Sequence, residues 1–407
     1  MEWFCTARGY LPLIRRLLGV ILLGCLPYEV LAFSPGAVDG TGWRLGVLFL
    51  QAPSPPEWLT VGAWAAYILA ALYMIFGIGG DSRLVPAVPA LVLLYYGFVD
   101  ERAFHSSFVI LAFTYLVAFM FDSPTVSCTR RLIQISVSSC YIFSALHKLH
   151  PEWSGGHTAD ELFNQGWGVR PELAVFFRSL HLSSDVLAVA AWLIILWELF
   201  LGIAPWFKKT RKLAYAGAVV LHLGISVMIS FLEIFALTMW VGLLAFFEGR
   251  QADQEHSGCR KGCPPASTYA AAAWALVLVF MPLRFFLGGI NGFLDMCVER
   301  FPWSFAMYLF RMDLGEVVAR YRGEAGGWRT WETSSAIIRA FSDPALASVA
   351  RYIARRTGAV EVVVEASQVV NHRWRVVKTC RYVKTASGWQ IEPACSAARV
   401  VAGPPAR

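Results

Sequence analysis

Through most of its length the chain alternates long apolar runs with short polar breaks, and only the final segment abandons that rhythm. Runs of this length match what a tilted helix needs to cross a hydrocarbon core about 30 Å thick. Nine spans are predicted: residues 17–33, 58–79, 84–99, 103–121, 132–149, 185–207, 213–230, 231–247 and 269–290. The seventh and eighth are almost continuous, so the turn near Glu233 is expected to be very tight or partly re-entrant. The third is short, and its Pro86 and Pro89 suit a helix start or a kink. Span 17–33 follows Arg15 and Arg16 as a secretory signal would, but no small-residue cleavage site closes it and Glu29 lies inside it, so it is read as the first transmembrane helix.

Beyond the last span the pattern changes. Residues 298–407 read as a small soluble α+β domain, against a transmembrane domain over 1–297. Ser342-Asp343-Pro344 has the form of a helix cap followed by proline at the first helical position, and Gly358 ends that helix. Residues 360–366 and 374–384 then read as strands around Asn371, with 388–391 as a third. The fold class expected is therefore an all-α polytopic membrane protein with about nine transmembrane helices and a small C-terminal α+β domain.

Composition agrees with this solvent assignment: 57% of the residues are hydrophobic and 15% charged. Charge adds an orientation. With the N-terminus cytoplasmic, the inner segments hold clusters such as Arg15-Arg16, Arg130-Arg131, Lys208-Lys209 and Arg211-Lys212, whereas the outer loops hold only Arg44, Arg102, Arg170 and Arg178. Nine spans then put the C-terminal domain on the outer face. From Arg300 onward there are sixteen Lys or Arg against eight Asp or Glu, while the preceding chain has nineteen against twenty, so the net positive charge lies in the tail, where it favours anionic headgroups of membrane lipid.

The chemistry-bearing residues are the few ionisable groups inside the spans. Lys148 ends the fifth span; such an ammonium can snorkel to the interface beside His147, His150 and Trp153, pair with an acid, or lose its proton and act as a general base. His105 opens the fourth span at a similar depth, as an interfacial residue or a hydrogen-bonding partner. His222 sits mid-span between Leu221 and Leu223, satisfied by a neighbouring helix or turned to a substrate. Glu198, between Trp197 and Leu199, is either a structural acid paired to a cation or a proton relay.

Other site classes are not indicated. There is no glycine-rich phosphate loop, dinucleotide fingerprint or HExxH. No metal is expected: Cys259 and Cys263, with His256 nearby, lack a second ligand pair. The nine cysteines do not form a disulfide scaffold at this length, although Cys380 and Cys395 could pair if the tail is outside. No internal repeat supports a transporter, and no nucleic-acid partner is expected.

The same residues carry a resemblance. SALHKLHPEWSGG, Ser144 to Gly156, resembles the Gly-Leu-x-Lys-Leu, Trp, Gly pattern of the vitamin K-dependent γ-glutamyl carboxylases and the wider HTTM family of membrane proteins. Lys148 falls on the family's catalytic lysine and His105 on its histidine, although Phe104 replaces the asparagine before it. Glu198 with Gly202 and Arg211, Val220-Leu221-His222, and Arg300-Phe301-Pro302-Trp303 follow in the family's order. The likeness covers about Arg15 to Lys378, but the chain lacks most of the large lumenal portion of the animal enzymes.

The resemblance implies a lyase-type peptide modification. A reduced vitamin K or menaquinone is deprotonated by the neutral lysine and oxidised by O2 to its epoxide, with CO2 added to a glutamate of a secreted peptide or protein. Lys148 and His105 would be catalytic, and His222, Trp153 and Glu198 would bind substrate. Short HTTM members imply an alternative from a different class, a maturation or assembly factor for a secreted peptide toxin without quinone chemistry.

Overall fold

The computed structural model describes residues 9–33, 56–77, 82–99, 107–121, 128–166, 169–229, 233–247, 265–287, 312–324, 326–331, 350, 353–354, 356–370, 374–385, 388–391 and 399–402. The long helices are α1 (Leu11–Phe33), α2 (Glu57–Phe76), α3 (Leu84–Val99), α4 (Ser107–Phe119), α5 (Thr129–His147), α9 (Ser184–Ile203), α10 (Arg211–Met228), α11 (Glu233–Leu243) and α12 (Pro265–Leu287). Between α5 and α9 lie three short helices that the hydropathy pattern did not predict: α6 (Pro151–Ser154), α7 (His157–Phe163) and α8 (Pro171–Leu180).

Each predicted apolar segment thus contains a helix. Among the described residues, two helices are long and apolar enough to cross a membrane, Trp58–Phe76 and Ser184–Trp206. In the segment expected to cross at 231–247 the helix is shorter: α11 has eleven residues, a rise of about 16 Å, and most of its side chains are buried. A helix lined by protein need not match the bilayer thickness.

α5 is the interior element. It packs against α4, α9, α11 and α12, and its buried face includes Gln134, Ser138, Ser139, Tyr141 and Ser144. α9 and α10 instead turn large apolar side chains outward: Leu193 is 62% and Val220 71% exposed. A water-soluble bundle would reverse this arrangement, since contiguous apolar surface is costly in water. Two membrane-length helices with outward apolar faces around a polar interior helix fit a lipid solvent.

Small residues let the helices approach closely, as is usual where helix association in lipid depends on packing. A Cβ on Gly202 of α9 would lie 2.6 Å from Ile142 Cγ1 on α5, and one on Gly242 of α11 would lie 1.9 Å from Tyr115 Oη on α4 and 2.6 Å from Val137 Cγ2 on α5.

The C-terminal strands form one antiparallel sheet in the order β2-β1-β3-β4-β5, with β6 also pairing β4. They are β1 (Met312–Arg322), β2 (Trp328–Trp331), β3 (Glu361–Val370), β4 (Trp374–Thr385), β5 (Gly388–Ile391) and β6 (Arg399–Ala402). Three of them match the predicted strands, and β1, β2 and β6 are additional. Register sets Ala319 opposite Val364 and Val362 between Tyr321 and Tyr382, which explains why Ala319, Val362, Val364 and Tyr382 are buried together. Glu361 lies on the other face, buried between the guanidiniums of Arg322 and Arg381. Gly358, at a φ of 66°, closes the preceding helical turn by donating its N–H to the Ala354 carbonyl. The Ser342-Asp343-Pro344 cap lies outside the described residues, as do Asn371, Cys395 and the Cys259–Cys263 loop.

Gly242→Ala is expected to lower stability by about 1–3 kcal/mol through overpacking, seen as a lower thermal midpoint of the detergent-purified chain. An unchanged midpoint would refute the close contact of α11 with α4 and α5.

Candidate functional site

Helical spacing builds the site. On α5, Cys140 and Tyr141, then Ser144, then Lys148 follow at intervals of three and four residues and therefore share one face. The helix ends at His147, so Lys148 is its C-cap. The chain then turns through α6, where Pro151 occupies the first helical position and the His150 ring accepts the Glu152 N–H at 3.2 Å. That acceptor must be an uncharged ring nitrogen, and burial indeed lowers the His150 pKa, with the neighbouring Glu152 opposing the shift. The turn brings the Trp153 ring beneath Lys148, whose Nζ is 5.3 Å from the ring centroid.

α9 supplies the acid. Glu198 projects inward from a helix whose other face is largely exposed and apolar, and it meets Lys148 with both carboxylate oxygens. Lys148 Nζ donates to Glu198 Oε1 at 2.9 Å and Oε2 at 2.8 Å, and to Ser144 Oγ at 2.5 Å. The Ser144 hydroxyl lies 3.3 Å from Glu198 Oε1. The side chains of Lys148 and Glu198 are 5% and 8% exposed. Of the three fates open to the lysine in sequence, the structure selects pairing with an acid. Three acceptors for three ammonium protons is the geometry a buried charged lysine requires.

α10 supplies the second polar group. Val220 and Leu223 face outward while His222 faces in, 2% exposed. Its Nε2 lies 2.7 Å from the Tyr141 hydroxyl, and its ring packs between Tyr141 and Phe235. His222 Nδ1 and Trp153 Nε1 are buried without a hydrogen-bond partner among the described residues. Each is a polar group that a bound molecule could satisfy.

These groups line one cavity of about 340 Å³, within the usual range of small-molecule sites. Its remaining wall is almost wholly apolar, from Phe163 on α7, Ile194 on α9, Ile225 and Met228 on α10 and Met239 on α11. Lys148, Trp153, Glu198 and His222, separated by up to 74 positions between Lys148 and His222, are therefore brought together. His105 lies outside the described residues. Sequence reasoning missed Ser144 and Tyr141, although their spacing on the face that carries Lys148 was a usable signal. Among the described residues no cluster of His, Cys, Asp and Glu is arranged to hold a metal ion.

The arrangement can bind a flat, mostly apolar molecule that offers hydrogen-bonding atoms toward both ends, and it can move a proton between Lys148 and Glu198. Compared with known proteins, the chain matches no family model, no curated protein and no solved structure, so the site is read from its own geometry.

Proposed function

We propose that the protein is a multi-pass membrane enzyme akin to the HTTM proteins and the vitamin K-dependent γ-glutamyl carboxylases, whose cavity takes the ring of a reduced quinone of the vitamin K or menaquinone class. In this reading all nine apolar segments are membrane-embedded, the N-terminus is cytoplasmic, and the Lys148 end of α5 and the C-terminal domain face outward. The observation that carries the reading is the Lys148–Glu198–Ser144 cluster set into a largely apolar cavity that the Tyr141–His222 pair also lines.

Catalysis needs Lys148 as a free amine, and Glu198 provides a local route to it. Transfer of one proton along the short Nζ–Oε2 hydrogen bond converts an ammonium and a carboxylate into an amine and a carboxylic acid, removing both charges from a poorly solvated site. The amine can then accept a proton from a hydroxyl of the bound ring. Ser144 keeps the amine aimed, and Trp153 offers a flat wall and an N–H donor. His222, held by Tyr141, hydrogen-bonds the ring's far oxygen. The reduced quinone supplies two electrons and two protons, which with O2 give the epoxide and one water. Addition of CO2 to a glutamate of a secreted peptide is the coupled step that the family likeness implies.

The test is turnover by the reconstituted chain with reduced menaquinone or vitamin K under oxygen, read as epoxide by chromatography. No epoxide from well-folded protein would overturn the reading in favour of a maturation factor without quinone chemistry. Lys148→Ala is expected to lower the rate by about 10²–10⁴-fold. That variant strands a buried carboxylate, at a cost of about 3–5 kcal/mol if it stays ionised. Lys148→Ala combined with Glu198→Gln should therefore recover thermal stability without recovering turnover, and a double variant with restored activity would remove Lys148 from the chemistry. His222→Phe keeps the packing between Tyr141 and Phe235 but loses both ring nitrogens. It is expected to raise KM about tenfold, the equivalent of one hydrogen bond, and an unchanged KM would show that the imidazole does not touch substrate.

A further inference from the structure

Helix α8 has no role in the site chemistry, yet its side chains are sorted more sharply than those of any neighbouring element. At about 100° per residue, Leu173, Phe176, Phe177 and Leu180 fall on one stripe, with Arg178 opposite, Glu172 and Ser179 along the edge next to Phe176, and Val175 between Arg178 and Ser179. Ala174 is its buried residue. Phe176 is 54% and Leu180 46% exposed, so this half of the apolar stripe is uncovered, while Leu173 and Phe177 are half-buried.

Position decides what covers it. α8 ends at Leu180 and the membrane-length helix starts at Ser184, capped by the Ser183 hydroxyl accepting the Val186 N–H. Three linking residues reach no more than about 10–14 Å, so α8 is tethered at the membrane–water boundary by that helix. The helix has 23 residues through Trp206, about 35 Å in length, and fills the hydrocarbon core with little to spare. Its outward Val186, Val189 and Leu193 are exposed, and they follow α8 directly in the chain. The polar face bearing Arg178 suits the headgroup side of the same boundary.

We infer that α8 is an interfacial helix, with Phe176 and Leu180 inserted into the headgroup–acyl boundary of the bilayer, and that it forms the lipid-side lip of the cavity. Phe177 packs edge-to-face on Phe163 with ring centroids 5.0 Å apart, and Phe163 lines the cavity. The strand-like segment before α8 is fixed to the end of α10 by the Val169–Ile229 bridge and by the Arg170 N–H donating to the Met228 carbonyl at 2.8 Å. Met228 and Ile229 also line the cavity. The lip is therefore one aromatic pair away from bulk lipid, where a lipid-soluble ligand concentrates. This inference needs the membrane-length α9 and not the quinone chemistry.

The test places a nitroxide on Phe176→Cys and, separately, on Arg178→Cys in the full chain, reconstituted in nanodiscs of phosphatidylcholine and phosphatidylglycerol, with the unmodified chain labelled in parallel as background. The label at 176 is expected to collide with oxygen severalfold more often than with a water-soluble nickel chelate, and the label at 178 to show the reverse. Equal nickel access at both positions would put the stripe in water and overturn the inference. A label at 176 that is immobile and shielded from both reagents would show protein covering it, and would overturn it equally. Neither result depends on epoxide formation, so failure here and failure of the proposed activity are told apart.

Discussion

A lysine and a glutamate facing each other where water is scarce constrain everything around them. Removing either charge from water costs several kcal/mol, and the structure offsets that cost with close geometry: two carboxylate oxygens and one hydroxyl around the Lys148 nitrogen. The pair sits at the contact of α5 with α9, where Gly202 lets the backbones come together. Such a pair is weak support for stability, since well-packed apolar residues serve that end as well or better. Its position on the wall of a ligand-sized cavity is what the proposed function draws on, because a proton shared between two groups can be lent to a third.

The cavity extends the same logic. Most of its lining is aliphatic or aromatic, and the polar atoms are few, directional and partly unsatisfied. Trp153 Nε1 and His222 Nδ1, without partners among the described residues, are polar atoms that a ligand carrying oxygen atoms could satisfy. Tyr141 limits how the imidazole can present itself, since the nitrogen it engages fixes what the other offers. A flat hydroquinone headgroup is the ligand proposed to meet these demands.

Fold and site are linked through α5. A helix bearing Gln134, Ser138, Ser139, Ser144 and Lys148 is poorly suited to lipid contact, so the more apolar helices surround it and direct their aliphatic side chains outward. The short α11 is possible for the same reason: enclosed by other helices, it need not span the hydrocarbon core. The C-terminal sheet follows ordinary alternation, with the Glu361 ion cluster replacing an apolar side chain on its outer face.

The sequence by itself determined the helical segments, the start of a β-rich tail and the residues worth watching. Apolar run length and period are local properties that survive whatever the chain packs against. It therefore located Lys148, Trp153, Glu198 and His222, and it placed the strands 374–384 and 388–391 closely. It could not supply α6 to α8, short helices whose contacts are with α9 and with one another, nor could it tell the membrane-length helices from the shorter, mostly buried α11, because both are apolar. The partner of Lys148 was equally hidden: Glu198 is fifty positions away, and whether an acid at that distance pairs with the lysine or faces elsewhere depends on how two helices rotate and approach. That rotation is set by non-local contacts, with Gly202 against Ile142 among them, and only the tertiary structure decided it.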